Sequence, residues 1–297
     1  MKKCYKILLG LLAVVALIGC SHGEELEEGV FSEVVEETAE LEKIAEEVPE
    51  EILDTSEPDT DGMLDSQEVL MEDLEESMIE ELPEQKGYLV VIDAGHQQKG
   101  NSEKEPVGPG ASEMKAKVAG GTTGVATGIP EYQLNLQVAL LLEEILLERG
   151  YEVLMVRTTH EVNISNAERA AVANDAGADA FIRIHANGAA DSGVHGAMTL
   201  CQTPSNPYNG ELYEESRKLS DCVLDAFVEK TGAKKQRVWE TDTMSGINWA
   251  MVPTTIVEMG YMSNSEEDQK MASAEYQKLM AEGMADGIDR YFEDGVE

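Results

Sequence analysis

Two histidines of this chain directly follow apolar, β-prone runs. His96 comes after Leu89–Ala94 and one glycine, and His185 comes after Ala180–Ile184. In an open α/β sheet, catalytic and binding groups collect at the carboxyl ends of the strands, so the two imidazoles are expected to meet there. Imidazole is a common metal ligand, and a hydrolytic zinc site needs about three protein ligands with one position left for water. A third ligand is therefore needed.

Two glutamates can complete such a site. Glu131 follows a proline that suits a first helical turn, and the apolar residues after it recur at helical spacing, at Leu134, Val138, Leu141, Leu142 and Ile145. Glu258 ends a β-branched run and precedes a glycine and a polar loop. These positions predict Zn²⁺ held by His96, Glu131 and His185, with Glu258 as the acid/base.

Each of these residues also has an ordinary structural interpretation. A single histidine at a strand end is more often a hydrogen-bonded structural residue, and a glutamate in a first helical turn is ordinarily a surface charge favoured by the helix dipole. The joint pattern of four strand-end or helix-start positions favours the metal site. The remaining histidines, His22, His160 and His195, are not expected to be ligands.

In this order, the segments resemble the zinc-dependent N-acetylmuramoyl-L-alanine amidases known as amidase type 3. The resemblance spans roughly 87–291 and consists of five motifs in order. They are a strand ending in Gly-His, a glutamate that opens a helix, an Arg-x-x-x-Ala-Asn stretch, a strand ending in Ile-His-Ala-Asn, and a final Glu-x-Gly-x-x-x-Asn. Arg169–Asn174 fills the middle element, and Asn264 fills the last. No single piece is specific, but five in order are a strong signal.

The chain departs from the family pattern at three places. After the first histidine, the usual glycine-rich sequence is replaced by Gln97–Gly100, which leads into a long Gly-rich stretch ending at Gly128. Arg183 stands where a serine is usual, and Tyr132 stands where a lysine is common. None of these departures replaces a proposed ligand.

The resemblance implies a peptidoglycan hydrolase. It would cleave the amide between N-acetylmuramic acid and L-alanine of the stem peptide by zinc-activated water. Glu258 would take the proton from the attacking water and deliver it to the departing amine. Arg183, Asn187 and Asn264 are candidate substrate contacts, although pairing with nearby carboxylates is an equal alternative for Arg183.

Two other functions fit the same pattern. A lipoprotein could keep the fold and bind peptidoglycan or a peptide without cleaving it, although the intact ligand set argues against this. A zinc peptidase acting within the stem peptide would use the same chemistry. The product separates the two hydrolases, because an amidase frees the lactyl carboxyl and the L-alanine amine, whereas a peptidase shortens the stem.

Residues 1–20 have the composition of a bacterial lipoprotein signal peptide. Three lysines precede an apolar run from Ile7 to Ile18, and the ending Leu17–Cys20 resembles the lipobox, which predicts Cys20 as the lipidated first residue of the mature protein. The apolar run is shorter than the ~20 residues needed to cross a bilayer, so an uncleaved span is disfavoured. The predicted location is extracytoplasmic, with a lipid anchor in the bacterial cell membrane.

Residues 21–86 hold 26 acidic and two basic residues. This charge density, with few aromatic residues, predicts an acidic, largely disordered tether that extends by self-repulsion. The formal net charge of the chain is −37, which argues against nucleic acid as a partner.

Residues 87–297 are predicted to form a single catalytic domain. The predicted elements are strand Tyr88–Asp93, a long loop, helix Glu131–Arg149, strand Tyr151–Val156, helix Ile164–Ala176, strands Ala180–Ile184 and Val194–Leu200, helix Glu211–Lys230, strand Thr254–Met259 and helix Ala274–Phe292. Alternating strands and helices predict a doubly wound α/β fold, with a mostly parallel sheet covered by helices on both faces.

Overall fold

The computed structural model describes residues 83–293. Its strands are β1 Leu89–Ala94, β2 Asn101–Pro106, β3 Met114–Val118, β4 Glu152–Met155, β5 Ala180–Asn187, β6 Ala197–Cys201, β7 Lys235–Glu240 and β8 Thr254–Tyr261. Six of them form one sheet in the order β4-β1-β5-β8-β6-β7, and β2 and β3 form a separate antiparallel hairpin. Every neighbouring pair in the large sheet is parallel except β6 and β8.

The helices are α1 Glu131–Glu148, α2 Asn166–Ala176, α3 Tyr213–Thr231, α4 Ser245–Asn248, α5 Ser265–Met271 and α6 Ala274–Glu293, with a 3₁₀ turn at Gly210–Leu212. Within the described part of the chain, none of these helices combines the length and apolar character that a bilayer crossing requires. The predicted signal peptide, and the predicted tether up to residue 82, lie outside the described residues.

Strand residues alternate between the two faces of the sheet, as the β pleat requires. In β1, Val90 and Ile92 belong to the larger core cluster, whereas Val91 belongs to a second cluster that includes Ala170 and Ala173 of α2. Helices α1, α3 and α6 complete the larger cluster through Leu134, Val138, Leu142, Leu219, Val223, Phe227, Met280, Met284 and Ile288. The predicted fold, a mostly parallel sheet with helices on both faces, is confirmed.

Helix α2 shows how a local signal sets an element boundary. Ser165 is the N-cap: its hydroxyl accepts a hydrogen bond from the backbone N–H of Glu168, and the Glu168 carboxylate accepts one from the backbone N–H of Ser165. Gly177 ends the helix in the left-handed conformation at φ +64°. The helix therefore starts at Asn166 rather than at the predicted Ile164.

Several elements differ from the sequence prediction. The predicted long loop after His96 contains the hairpin β2–β3, in which β2 is polar without apolar alternation and β3 alternates over only five residues. The polar edge strand β7 and the short helices α4 and α5 were also not predicted. Strand β5 runs to Asn187, so His185 lies inside the strand and not after it. Short or polar elements at an edge lack the periodicity on which sequence interpretation depends.

The residues just before the predicted domain boundary at Gly87 contact the domain. The Lys86 backbone N–H donates to the Gly150 carbonyl at 2.8 Å, and its ammonium pairs with Asp289 at 2.5 Å. The contacts of the domain therefore include Lys86, one residue before the predicted boundary.

Helices α3 and α6 pack closely because glycines lie between them. A Cβ at Gly287 would lie 2.4 Å from the Val223 Cα, which is backbone and cannot rotate away.

We predict that Gly287→Ala lowers the free energy of unfolding by about 1–2 kcal/mol, because the steric cost exceeds the roughly 1 kcal/mol gain in helix propensity. Thermal or urea unfolding measures this. Lys278→Ala, at an exposed position of α6, is the control and should be near neutral. An unchanged or raised stability of Gly287→Ala would contradict the close packing.

Candidate active site

The three side chains that the sequence proposes as ligands converge at the carboxyl end of the parallel strands. His96 follows β1, Glu131 is the first residue of α1, and His185 lies in β5. The Nε2 of His96 is 3.0 Å from the Oε1 of Glu131, and the Nδ1 of His185 is 3.1 Å from the same oxygen and 3.2 Å from His96 Nε2. Their ligand atoms all lie within 4.8 Å of one another, so the group could hold a metal ion.

The backbone fixes which nitrogen of His96 faces the site. Its Nδ1 is 2.9 Å from the carbonyl oxygen of Ala119, which can only accept, so Nδ1 carries the proton and Nε2 presents its lone pair. Two imidazole nitrogens and one carboxylate oxygen then face a common point. Nitrogen and oxygen donors in this number fit the ligand set that Zn²⁺ takes.

Glu131 is held at both carboxylate oxygens. Its Oε1 accepts from the backbone N–H of Ala186 at 3.2 Å, and its Oε2 accepts from the backbone N–H of Thr122 at 2.9 Å. Burial acts to raise the pKa of Glu131, but the interactions with His185 and His96, which donate to this carboxylate when their rings are protonated, outweigh burial and hold this pKa well below its usual range. The carboxylate is therefore ionised and oriented toward the histidines.

Arginine side chains hold the turn that carries His96. His96 has φ +61°, which makes it the only non-glycine residue at positive φ among residues 83–293. Arg157 donates to the carbonyls of Ala94 at 2.7 Å and Gly95 at 3.1 Å. Arg169 donates to those of Ala94 at 3.1 Å and His96 at 2.9 Å. Three successive carbonyls thus accept from guanidinium groups, which stabilises an otherwise unfavourable backbone conformation.

A buried carboxylate, Asp93, connects two arginines beside this turn. Its Oδ1 pairs with Arg169 at 2.5 Å and its Oδ2 pairs with Arg183 at 2.8 Å. Burial acts to raise the pKa of Asp93, but the charges of Arg169 and Arg183 outweigh burial and hold it well below its usual range. This ion triplet joins β1, α2 and β5 beneath the histidines.

Gly95 allows the His185 ring to lie against β1. A Cβ at Gly95 would lie 2.3 Å from the Nε2 and Cε1 atoms of His185, closer than real Cβ contacts come. The two histidine rings meet edge to face with centroids 4.7 Å apart. The glycine before the first histidine therefore positions the second one.

Glu258 lies beside His185 on the neighbouring strand. The two residues are paired in the parallel register of β5 and β8, and both line a cavity of about 400 Å³ together with His96 and Glu131. Its Oε2 is buried and has no hydrogen-bond partner among residues 83–293. Burial, with a smaller contribution from the negative charge of Glu131, raises the pKa of Glu258 to about 8. A carboxyl group in this range can both take and give a proton near neutral pH.

Residues 90–290 match the family described as N-acetylmuramoyl-L-alanine amidase, Amidase_3. The match covers more than half of the chain and includes every proposed ligand. The chain belongs to this family.

Two of three similar proteins carry the name of this amidase. The Bacillus subtilis protein YqiI is 28% identical over 70% of this chain and 86% of its own length. The N-acetylmuramoyl-L-alanine amidase CwlM of Bacillus licheniformis is 29% identical over 58% of this chain and 65% of its own length. The crystal structure of the apo N-acetylmuramyl-L-alanine amidase Ami1 of Mycobacterium abscessus is 25% identical, with a TM-score of 0.63 over 69% of this chain and 99% of that chain.

The three candidate substrate contacts lie in different environments within this amidase fold. Arg183 is buried and donates hydrogen bonds to Asp93 and Asn166. This is the alternative role given above, in which Arg183 pairs with a nearby carboxylate. Asn264 caps α5 by accepting from two backbone N–H groups, and its amide donates to the Ser192 carbonyl. Asn187 lines the same cavity as the histidines and Glu258. Of the three, Asn187 has the position that best suits a substrate contact.

The other histidines of the described region lie away from the ligand group. His160 packs edge to face against Tyr132 with ring centroids 5.3 Å apart, and the Nδ1 of His195 bonds to the Gly193 carbonyl at 3.0 Å. His22 lies outside the described residues.

Sequence interpretation missed the residues that support the ligands. Asp93 lies in the buried strand β1, and Arg157 is buried just after β4. A charged residue in a buried apolar strand is itself a signal, because charges are rarely buried without a partner. Thr122 and Ala119 act through their backbone only, so no side-chain pattern could reveal them.

The contact between Gly95 and the His185 ring yields a test of the ligand geometry. We predict that Gly95→Ala displaces the ring and weakens divalent-metal binding at least tenfold, because support of a ligand typically affects affinity on this scale. Zinc titration with a competing chelator measures this change. Gly120→Ala is the matched control, since a Cβ at Gly120 meets nothing within 4 Å. Equal metal affinity of the two variants would refute the steric role of Gly95.

Proposed function

We propose that this chain hydrolyses the amide bond between the lactyl group of N-acetylmuramic acid and L-alanine of the peptidoglycan stem peptide. The convergence of His96, Glu131 and His185 beside Glu258 is the observation that carries the proposal. Membership of the amidase family supports the substrate class. The CwlM amidase of Bacillus licheniformis, whose name gives this activity, matches over 177 residues.

Zn²⁺ is the metal that we propose for the site. His96 would bind it through Nε2, His185 through Nδ1, and Glu131 through Oε1, the atoms that face one another in the structure. When bound, Zn²⁺ supplies Lewis-acid polarisation of a carbonyl and lowers the pKa of water at the site.

The protein's own groups would manage the proton. Glu258 presents a carboxyl oxygen without a partner among the described residues, in the cavity that the ligands share. It would accept a proton from the attacking water and donate it to the amine of L-alanine as the C–N bond breaks. The positive charge of a bound cation would favour the ionised form of Glu258, which is the form that accepts the proton.

We predict that Glu258→Gln retains zinc and fold but loses at least about 10² in hydrolysis rate, because proton transfer by a positioned group contributes about 10²–10⁴. The measurement is release of the L-alanine amine and the lactyl carboxyl from purified wall fragments, together with zinc content.

Glu266→Gln, the same change at an exposed position of α5, is the control and should be fully active. Near-normal hydrolysis by Glu258→Gln would transfer the acid/base role to another residue. A product with a shortened stem would replace the amidase assignment with a zinc peptidase.

We also propose that the protein is anchored to the bacterial cell membrane through a lipid on Cys20, with the acidic segment that follows as a tether that ends where Lys86 contacts the domain. The support is the apolar run and the Leu17–Cys20 ending of the sequence.

We predict that Cys20→Ser abolishes labelling by fatty acid and moves the protein out of the membrane fraction. Cys4→Ser, a change of the same kind within the predicted signal peptide, should leave labelling intact. Labelling that persists in Cys20→Ser would exclude lipidation at this position.

A further inference from the structure

Two cavities meet at His96 and His185, which line both of them. One is the cavity already described, which also contains Thr122 and Ser263. The other, which we call the hairpin groove, lies between the β2–β3 hairpin and residues 243–246 and has a volume of about 400 Å³. A substrate cleaved at the histidines would therefore extend into one cavity on each side of the scissile bond.

The two cavities differ in charge. Lys104, Lys115 and Arg183 line the hairpin groove, and among its described lining residues there is no aspartate or glutamate. The other cavity contains Glu131 and Glu258. The net charge of the chain is −37. A groove lined by cations is therefore not a result of the overall charge and depends on the particular residues placed there.

The cations of the groove are not equally available to a ligand. Arg183 is committed to Asp93, and the ammonium of Lys115 donates to the Thr243 carbonyl. Lys104 is exposed and makes no ion pair or side-chain hydrogen bond with any residue in 83–293. Lys104 is therefore the lysine of the groove with its charge available for an added anion.

The acids in strands β2 and β3 are engaged elsewhere, and Glu113, in the turn between them, does not line the groove. Glu103 pairs with Lys117 at 2.8 Å, outside the groove. Glu105 is buried, and its carboxylate lies 3.4 Å from the backbone nitrogen of Ala167. Neither acid neutralises Lys104 by a direct contact.

The hairpin is fixed to the domain, so the groove is already formed. The indole N–H of Trp249 donates to the Pro106 carbonyl at 2.9 Å, and the side-chain amide of Asn166 donates to the Lys117 carbonyl at 2.8 Å. Asn248 donates to the Val107 carbonyl at 3.2 Å just beyond β2. A preformed site binds without the cost of ordering its walls.

We propose that the hairpin groove binds the peptide arm of the substrate and that Lys104 pairs with a carboxylate carried by that peptide near the scissile amide. This inference rests on the amidase function proposed above. The uncharged glycan arm would then lie in the cavity that contains Glu131 and Glu258. Apolar residues of the groove, Met114 and Val118, would contact the aliphatic parts of the peptide.

Two soluble muropeptides test the proposal. They have the same glycan and the same scissile amide, but the second peptide residue bears a carboxylate in one and a carboxamide in the other. Binding of each is measured by calorimetry, and hydrolysis is followed separately, for the full mature chain and for two variants. Lys104→Gln removes the free charge of the groove. Lys117→Gln is the matched control, since it removes a lysine of the same hairpin that does not line the groove.

We predict that the unaltered chain binds the carboxylate form more tightly and that Lys104→Gln weakens this binding about fivefold, as expected for one partly exposed ion pair. Binding of the carboxamide form should not change, and Lys117→Gln should leave both forms unaffected. Added salt should reduce the carboxylate preference of the unaltered chain.

The outcomes separate the two proposals. Equal binding of the two forms by the unaltered chain, or equal loss for both forms in Lys104→Gln, would overturn the groove assignment. Carboxylate preference that depends on Lys104, without release of the L-alanine amine, would support the groove and overturn the amidase function.

Discussion

The buried ion triplet of Asp93, Arg169 and Arg183 is the interaction on which the geometry of the site depends. Asp93 has no exposed surface, and a buried charge is tolerated only when it is paired and hydrogen-bonded. Removing one partner of such a group leaves an uncompensated charge and costs about 3–5 kcal/mol. Because Arg169 also donates to the His96 carbonyl at 2.9 Å, the triplet links the sheet to the turn that carries His96, the first proposed metal ligand.

The same region shows why the site uses arginine rather than lysine. Arg157 makes four hydrogen bonds, and all of them go to main-chain carbonyl oxygens, including those of Ala94 and Gly95. A planar guanidinium has several donors in a fixed geometry and can bridge successive carbonyls, whereas an ammonium is a single point donor. The carbonyls of the turn are thus held by guanidinium donors, and the His96 imidazole faces Glu131 and His185.

The three candidate ligands could be placed in the fold from sequence because each lies next to a clear apolar pattern. His96 and His185 end apolar runs, and Glu131 opens a helix with an apolar face. The β2–β3 hairpin could not be predicted in this way, because β2 is polar, β3 alternates over only five residues, and the contacts that hold the hairpin come from distant residues such as Trp249. The ion triplet likewise joins residues up to 90 positions apart, so only the fold brings them together.

The net charge of the chain and the cations of the hairpin groove have opposite effects on an anionic ligand, and they act at different distances. A net charge of −37 would repel an anionic polymer at a distance, but salt screens such repulsion beyond about 8 Å at physiological ionic strength. Within that distance, the cations that line the hairpin groove act on a bound ligand directly. An acidic protein can therefore hold an anionic peptide, provided that its own carboxylates face other partners, as Glu103 does toward Lys117. The β2–β3 hairpin, which follows His96 in the chain, is the element that creates this local basic surface.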